Sequence, residues 1–405
     1  MTNARFSTEN FDIAVVGGGP AGLTAALAFA DAGCRTLLVA PAAEPPATGR
    51  EARTAALFHT SLSLLARVGA WPACRNASAP LAGIRIIDRT ESPLGLTAPE
   101  VLFEASEIGL ETFGYNVPNW AMMAALRDAI AARPANLTVL DDHVVTGLRV
   151  VDQTVEISID GKPFATARVI AAADGRHSTS RMAAGITADV RDTGQTAITA
   201  VISHTRDHHG ISTEFHRAAG PCTVVPLPRA ADGSYASSLV WIERTPVADR
   251  LLKLPDDAFL QSLAAQLTGV IGALTGVSAR ARFDLAFCRA SMLAQNRVLL
   301  LAEAAHAMPP IGAQGLNLSL RDVAAAVDLV SSAVAEGRNP GSNDVLAAYQ
   351  RARQRDITAR MGAVETLNGS LLMDFGPVNL LRGAGLHALR AVPMLKRQVM
   401  RAGLA

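Results

Sequence analysis

The apolar positions come in short runs closed by turn residues. Phe11 to Val16 is one such run, ending in Gly17-Gly18-Gly19. Pro20 to Ala32 then reads as an alanine-rich helix closed by Gly33, and a second run follows at Thr36 to Val39. Strand, glycine turn, helix and strand in that order make a βαβ unit, which predicts a parallel sheet with the glycines at its carboxyl edge. The stretch from Ile84 to Phe113 is mixed and strand-like, Asn119 to Ala132 looks helical, and Val169 to Ala172 reads as another buried strand. Between Thr196 and Phe287, alternating stretches such as TAITAVIS, CTVVPLP and SSLVWIE predict an antiparallel sheet. Val298 to Ala302 resumes the parallel-sheet pattern, a helix is expected from about Leu316, and the chain from Val345 onward reads as helices.

The expected architecture is therefore α/β: a Rossmann-like domain, an antiparallel-sheet substrate domain and C-terminal helices. The boundaries fall at 1–83, 115–195 and 285–370 for the discontinuous first domain, at 84–114 and 196–284 for the second, and at 371–405 for the helical segment. A chain of 405 residues is long enough for two domains sharing a large core. No uncharged apolar run reaches the roughly 20 residues that a membrane-spanning helix needs, so the body is expected to be soluble. A formal net charge of +1 gives no case for nucleic acid. Cys34, Cys74, Cys222 and Cys288 lie far apart with no CxxC pair, which suggests neither a zinc cage nor a disulfide framework and fits a reducing cytoplasm. The first residues, MTNARFSTEN, carry no secretory apolar region.

Three motifs carry chemistry. In GGGPAG, Gly17, Gly19 and Gly22 occupy the GxGxxG positions, with Pro20 and Ala21 opening the helix. The first glycine allows the tight turn, the second lets backbone approach a pyrophosphate, and the third lets helix pack close to strand. Orphan amides at the helix start would bind the phosphate. An acidic residue about 20 positions on should grasp the ribose hydroxyls, but Ala40 stands there, with Glu44 the next candidate ahead of Pro45 and Pro46. This motif alone does not choose between FAD and NAD. The second, AADGRHSTSR, ends a buried strand in Asp174-Gly175, with Ser178 and Arg181 following. The third, LLLAEAAHAMPPIGAQGLNLSLRDVAAA, is a strand, a loop through Pro309, Gly312 and Gly315, and a helix. Such a loop aims free backbone amides at its guest, and an anionic reduced flavin ring suits it.

On these motifs the chain resembles the single-component flavin monooxygenases, the class of para-hydroxybenzoate hydroxylase. Within that class it is most similar to the hydroxylases of ubiquinone biosynthesis, through PPIGAQGLNLSLRDV, the GPCTVVPLP…SLVW pattern and the tail TLNGSLLMDF…LRGAGLHALRAVPMLKRQVMRAGL. The resemblance implies FAD as cofactor and NADPH or NADH as reductant. It also implies hydroxylation of an aromatic ring through a flavin C4a-hydroperoxide. It places Asp174 and Gly175 between flavin and the nicotinamide route, and Glu303 on the ribityl chain, where the family's usual Gly-Asp pair is Ala302-Glu303 here. Arg53 is placed beside flavin and pyrophosphate, Asn119 or Arg127 on the helix behind, and the loop from Pro309 through Gly312, Gln314, Gly315, Leu316 and Asn317 at the pyrimidine end of the ring. The substrate is then a prenylated phenol. A small aromatic acid, which would want an arginine-lined pocket, and a non-catalytic flavoprotein of a biosynthetic complex remain as alternatives. The phenol-activating residue is not legible.

Other candidates carry plainer readings. His306 at a helix start is more often a packed residue than a base. His204, His208 and His209 lie among Thr205, Arg206, Asp207 and Gly210, a solvated loop without metal-ligand spacing. Trp241 and Phe215 are more often sheet core than pocket lining. In the tail, Arg382, Arg390, Lys396, Arg397 and Arg401 punctuate leucines and methionines at helical spacing. That pattern suits a peripheral seat on anionic lipid at the inner membrane or docking to a partner, and equally a helix packed on the first domain. A homo-oligomer stays open.

Overall fold

The computed structural model describes residues 10–41, 52–90, 100–132, 135–230, 232–372 and 376–404. Glu44 falls outside the described residues. The first sheet carries the parallel strands Val298–Leu300, Lys162–Ala172, Asn10–Val16, Thr36–Val39 and Leu137–Leu140 in that spatial order. Pairs such as Ile13 with both Thr36 and Val169 fix the register. Ile13, Ala14 and Val15 are all sealed from solvent, as expected of strands covered on both faces. The helix Pro20–Asp31 lies on the sheet with every residue from Ala21 to Ala30 buried. Its alanines let it pack closely, and its one large aromatic, Phe29, is fully buried, which stabilises by about 1.5–3 kcal/mol. Gly33 closes the helix at φ +87°, a conformation that favours glycine.

Among the described residues the second sheet has nine strands and is mostly antiparallel, with Ala188–His204 at its centre between Tyr235–Arg244 and Ala281–Ala290. Its far side runs through Cys222–Leu227 and Ile211–His216 to Gly83–Asp88 and Glu100–Glu104. Strand periodicity divides its side chains cleanly. Ile198, Phe215, Val224, Leu239 and Trp241 enter a core with Phe259, Leu263 and Leu267. Ala197, Thr199, Thr223, Val225 and Val240 point the other way, toward a cavity. Phe215 and Trp241 are thus sheet core.

The covered face requires two helices that the strand pattern did not suggest, Thr245–Leu252 and Asp256–Leu267. A local signal existed: Pro246 at the start of one, and Pro255 followed by Asp256 and Asp257 at the start of the other. A further small sheet joins Thr54–Phe58, Gly114–Pro118 and Ala79–Pro80. The chain ends in the helices Asn343–Leu372, Gly376–Ala391 and Pro393–Leu404. Leu386 and Met400 of the last two are buried against Phe58, Val101, Phe103 and Phe113. Val392, Met394, Leu395 and Val399 remain exposed on the same tail. No helix among the described residues is long and apolar enough to cross a membrane.

Candidate functional site

The parallel strands deliver three turns to one edge of the first sheet. The backbone after Val16 turns at Gly17, with φ +125°, and a Cβ there would meet the carbonyl oxygen of Ala173 at 2.2 Å. Gly22 is equally constrained, because its Cβ would lie 2.1 Å from the carbonyl oxygen of Gly17. Gly19, by contrast, has nothing within 4 Å of where a Cβ would stand. Its backbone faces open space at the start of a helix, where unpaired amides favour an anion.

These turns and the second sheet bound one cavity of about 560 Å³. Of the residues singled out from sequence, Gly19, Pro20, Ala21, Gly22, Arg53, Asn119, Gly175, Glu303, Gly312, Gly315 and Leu316 line it. Gly17 lies behind them as the turn itself. The others do not line it, each for a visible reason. The Asp174 carboxylate accepts from the Ser178 hydroxyl and, at 3.0 Å, from the Ser180 amide, so it ties down the short helix that follows. Asn317 is buried and spends its whole amide on structure. Its Nδ2 donates to the carbonyls of Ala56 and Ala313 at 2.8 and 2.7 Å, and its Oδ1 accepts from Phe58 N and Ser61 Oγ at 3.0 and 2.7 Å. It bolts the third turn to the strand that follows Arg53. Gln314 accepts from Arg360 at 2.5 Å, away from the cavity. Pro309 is buried beneath the loop, whose exposed Pro310 faces inward instead. Arg127 lies eight residues beyond Asn119 on the helix Asn119–Ala131, about 12 Å along its axis.

Sequence reasoning missed a buried charge network under the third turn. Asp322, sealed from solvent, takes His306 Nε2 and the amide of Ala302 on Oδ2, at 2.6 and 3.1 Å, and Arg353 Nε on Oδ1 at 2.8 Å. Arg353 reaches on to Asp356, which also accepts from Arg360. Burial opposes ionisation of Asp356, but hydrogen bonds from Arg360 and Arg353 outweigh it and hold the carboxyl below its ordinary range. His306 touches the cavity, yet its outer nitrogen is committed to Asp322. Arg181 braces the second turn against the third, donating to the carbonyls of Ala304 and Arg176 at 2.9 and 2.7 Å. Ala302 adopts φ +54° and Ala313 φ +56°, so both ends of the third turn use the left-handed region without glycine.

Asn116 Oδ1, Asn119 Oδ1 and Thr199 Oγ1 are buried on the cavity wall without a hydrogen-bond partner among the described residues. Unpaired, such an atom costs about 1–3 kcal/mol, which a ligand able to donate would offset. Among the described residues no group of three metal-binding side chains is assembled.

A glycine turn at a helix start, reinforced by two further turns at the same sheet edge, is the arrangement that a dinucleotide requires. The family model described as the FAD binding domain matches residues 10–362. The chain belongs to that family. Across the FAD-binding family it is 31% identical to the ubiquinone hydroxylase UbiL of Rhodospirillum rubrum over 393 residues, covering 96% of this chain and 88% of the relative. It is 28% identical to the 3-demethoxyubiquinol 3-hydroxylase of Escherichia coli, covering 97% and 98% of the two chains. The fold matches that of the p-nitrophenol 4-monooxygenase PnpA of Pseudomonas putida with a TM-score of 0.74, at 19% identity over 98% of this chain and 97% of that one. FAD is the family's cofactor, and the described residues suit it. The glycine turn leaves room for a pyrophosphate, and the exposed Glu303 carboxylate makes no hydrogen bond or ion pair to any described residue. The missing acidic residue has a local explanation: Ala40 is buried with its Cβ 3.0 Å from where Gly18 would carry one, so the end of that strand is packed against the glycine turn.

Proposed function

We propose that this protein is an FAD-dependent monooxygenase that hydroxylates the aromatic ring of a polyprenylated phenol in ubiquinone biosynthesis, with NADPH or NADH as reductant. The observation that carries the reading is a continuous cavity running from the glycine turn to the face of the second sheet, so that cofactor and ring would share one space. The relatives named ubiquinone hydroxylase and 3-demethoxyubiquinol 3-hydroxylase, similar along nearly the whole chain, support the choice of substrate class.

Reduced FAD, when bound, supplies the activation of dioxygen. The chain's own residues then hold and shield. The amides of the Gly17–Gly22 turn would hold the pyrophosphate and the Glu303 carboxylate would take ribityl hydroxyls, with Arg53 on the wall of the same cavity. The loop of Pro310, Gly312 and Gly315 lines the same cavity, where its amides would meet the negative charge that gathers on the pyrimidine end of the flavin on reduction. Val225, Val240, Phe283 and Leu285 would keep water from the ring. The exposed Val392, Met394, Leu395 and Val399, interleaved with Arg390, Arg397 and Arg401, suit a peripheral contact with anionic lipid, which would bring the cavity to a membrane-dissolved substrate.

Purified protein loaded with FAD should oxidise NADPH in step with formation of a hydroxylated product from a prenylated phenol, and should not do so with 4-hydroxybenzoate. A strain lacking the gene should accumulate the unhydroxylated precursor, identified by mass. Cofactor oxidation without any hydroxylated product, together with unchanged quinone intermediates in that strain, would overturn the reading.

A further inference from the structure

The strand Ile211–His216 sends alternate side chains to opposite faces of the second sheet. Phe215 enters the covered core, while Ser212 and Glu214 line the cavity. Glu214 is buried, and its Oε1 accepts from Nε2 of His216, two residues along on the same face, at 2.7 Å. That bond fixes the carboxylate against the cavity wall. Thr223 on the adjoining strand and Thr199 nearer the sheet's centre share the face, and Asn116 contributes its unpartnered Oδ1 once its Nδ2 has donated to the carbonyl of Pro226 at 2.8 Å. The Glu214 carboxylate and Asn116 Oδ1 can only accept, the Ser212, Thr199 and Thr223 hydroxyls can do either, and all are set among Val225, Val240, Phe283 and Leu285.

The charge balance of the wall runs the same way. Apart from His306, its charged lining residues are the carboxylates Glu214 and Glu303 and the single guanidinium Arg53, which stacks 4.8 Å from the ring centroid of Phe283. A ring bearing a carboxylate would bring a third negative charge into a mainly apolar cavity, whereas a neutral ring with hydroxyl groups would supply donors to Glu214 and to Asn116 Oδ1.

We propose that Glu214 is a specificity-determining residue: its carboxylate accepts a hydroxyl of a neutral phenol or catechol and turns away aromatic acids. The inference rests on the hydroxylase reading above and deepens it by naming the class of ring admitted.

The test is equilibrium binding to the FAD-loaded protein, followed by perturbation of the flavin spectrum, using methyl 4-hydroxybenzoate and 4-hydroxybenzoate as a neutral and charged pair. The native protein should bind the ester at least ~10-fold more tightly than the acid. In Glu214→Gln that ratio should fall to about threefold or less through tighter binding of the acid, with flavin content unchanged. Glu214→Thr, which removes the same charge with a residue suited to a strand, provides the measurement if the glutamine variant does not fold. Equal binding of acid and ester by the native protein, or a ratio that neither substitution moves, would overturn the proposal. Because the readout needs no turnover, it separates from the activity: discrimination without hydroxylation leaves Glu214 standing and removes the reaction, while hydroxylation with an unmoved ratio does the reverse.

Discussion

The two walls of the cavity are built from different materials. The edge of the first sheet is made of backbone: Gly17 and Gly22 stand where a Cβ would lie 2.2 and 2.1 Å from a carbonyl oxygen, and the third turn is held from below by the Asp322, His306 and Arg353 network. The face of the second sheet is made of side chains, one from every other residue, with the residues between them committed to a core on the far side. Where that edge is closed, at Gly17 and Gly22, it tolerates almost no change in its atoms, because an added side chain meets a neighbouring main chain. A face of alternating side chains tolerates exchange, because each projects into space that a different ring can fill. Cofactor binding and substrate choice can thus vary separately on one scaffold.

The largest expected effect comes from breaking the edge. Gly17→Ala places a Cβ against the Ala173 carbonyl at a φ of +125°, so the strands Asn10–Val16 and Lys162–Ala172 would have to part at their ends. A loss of stability of ~3 kcal/mol and colourless purified protein are expected, read by urea unfolding and by flavin absorbance. Gly19→Ala makes the contrast, since nothing lies within 4 Å of its Cβ. Its unfolding midpoint should stay near that of the native protein while flavin binding is lost. Equal destabilisation by the two substitutions would show that the edge is not shaped for a ligand.

The same contrast explains how much the sequence reveals. The βαβ unit is legible almost to the residue, with Thr36–Val39 as expected and the helix ending at Asp31 ahead of Gly33, because glycine, periodicity and a buried parallel strand all point one way. The lining by Gly312 and Gly315 follows from the same turn logic, while that by Glu303 was implied by the family resemblance. Asn317 and Gln314 sit in that motif too, yet their side chains hold the turn rather than face the cavity, and spacing alone does not distinguish the two duties. On the second sheet the alternation is visible, but it does not say which set is covered. That depends on the helices Thr245–Leu252 and Asp256–Leu267 packing on one side, a tertiary fact. Thr199, Asn116 and Glu214 therefore passed unnoticed.

A smaller effect should come from the one side chain of the edge that faces the cavity with its charge unspent. Glu303 is exposed and bonds to no described residue, so Glu303→Ala should leave stability unchanged and weaken FAD by about 1–3 kcal/mol, roughly 5- to 150-fold in the dissociation constant. A flavin titration that matches the native protein would place the ribityl contact elsewhere.

The smallest effect is expected just beside it, where the edge departs from its own material. Ala302 holds φ +54°, a region in which an L side chain costs on the order of 1 kcal/mol, while its amide donates to Asp322 at 3.1 Å and its methyl packs against the main core. Glycine would remove the strain. It would also lose about 0.8 kcal/mol of methyl burial and give the unfolded chain about 0.4–1 kcal/mol more entropy. These terms nearly cancel, so Ala302→Gly should move the unfolding free energy by less than ~1 kcal/mol in either direction and leave flavin affinity unchanged. A gain well beyond that would mean the alanine is held under more strain than its dihedral indicates, with the Asp322 network as the restraint. A comparable loss would mean the methyl is a packing element of the third turn, and the edge would then depend on a side chain after all.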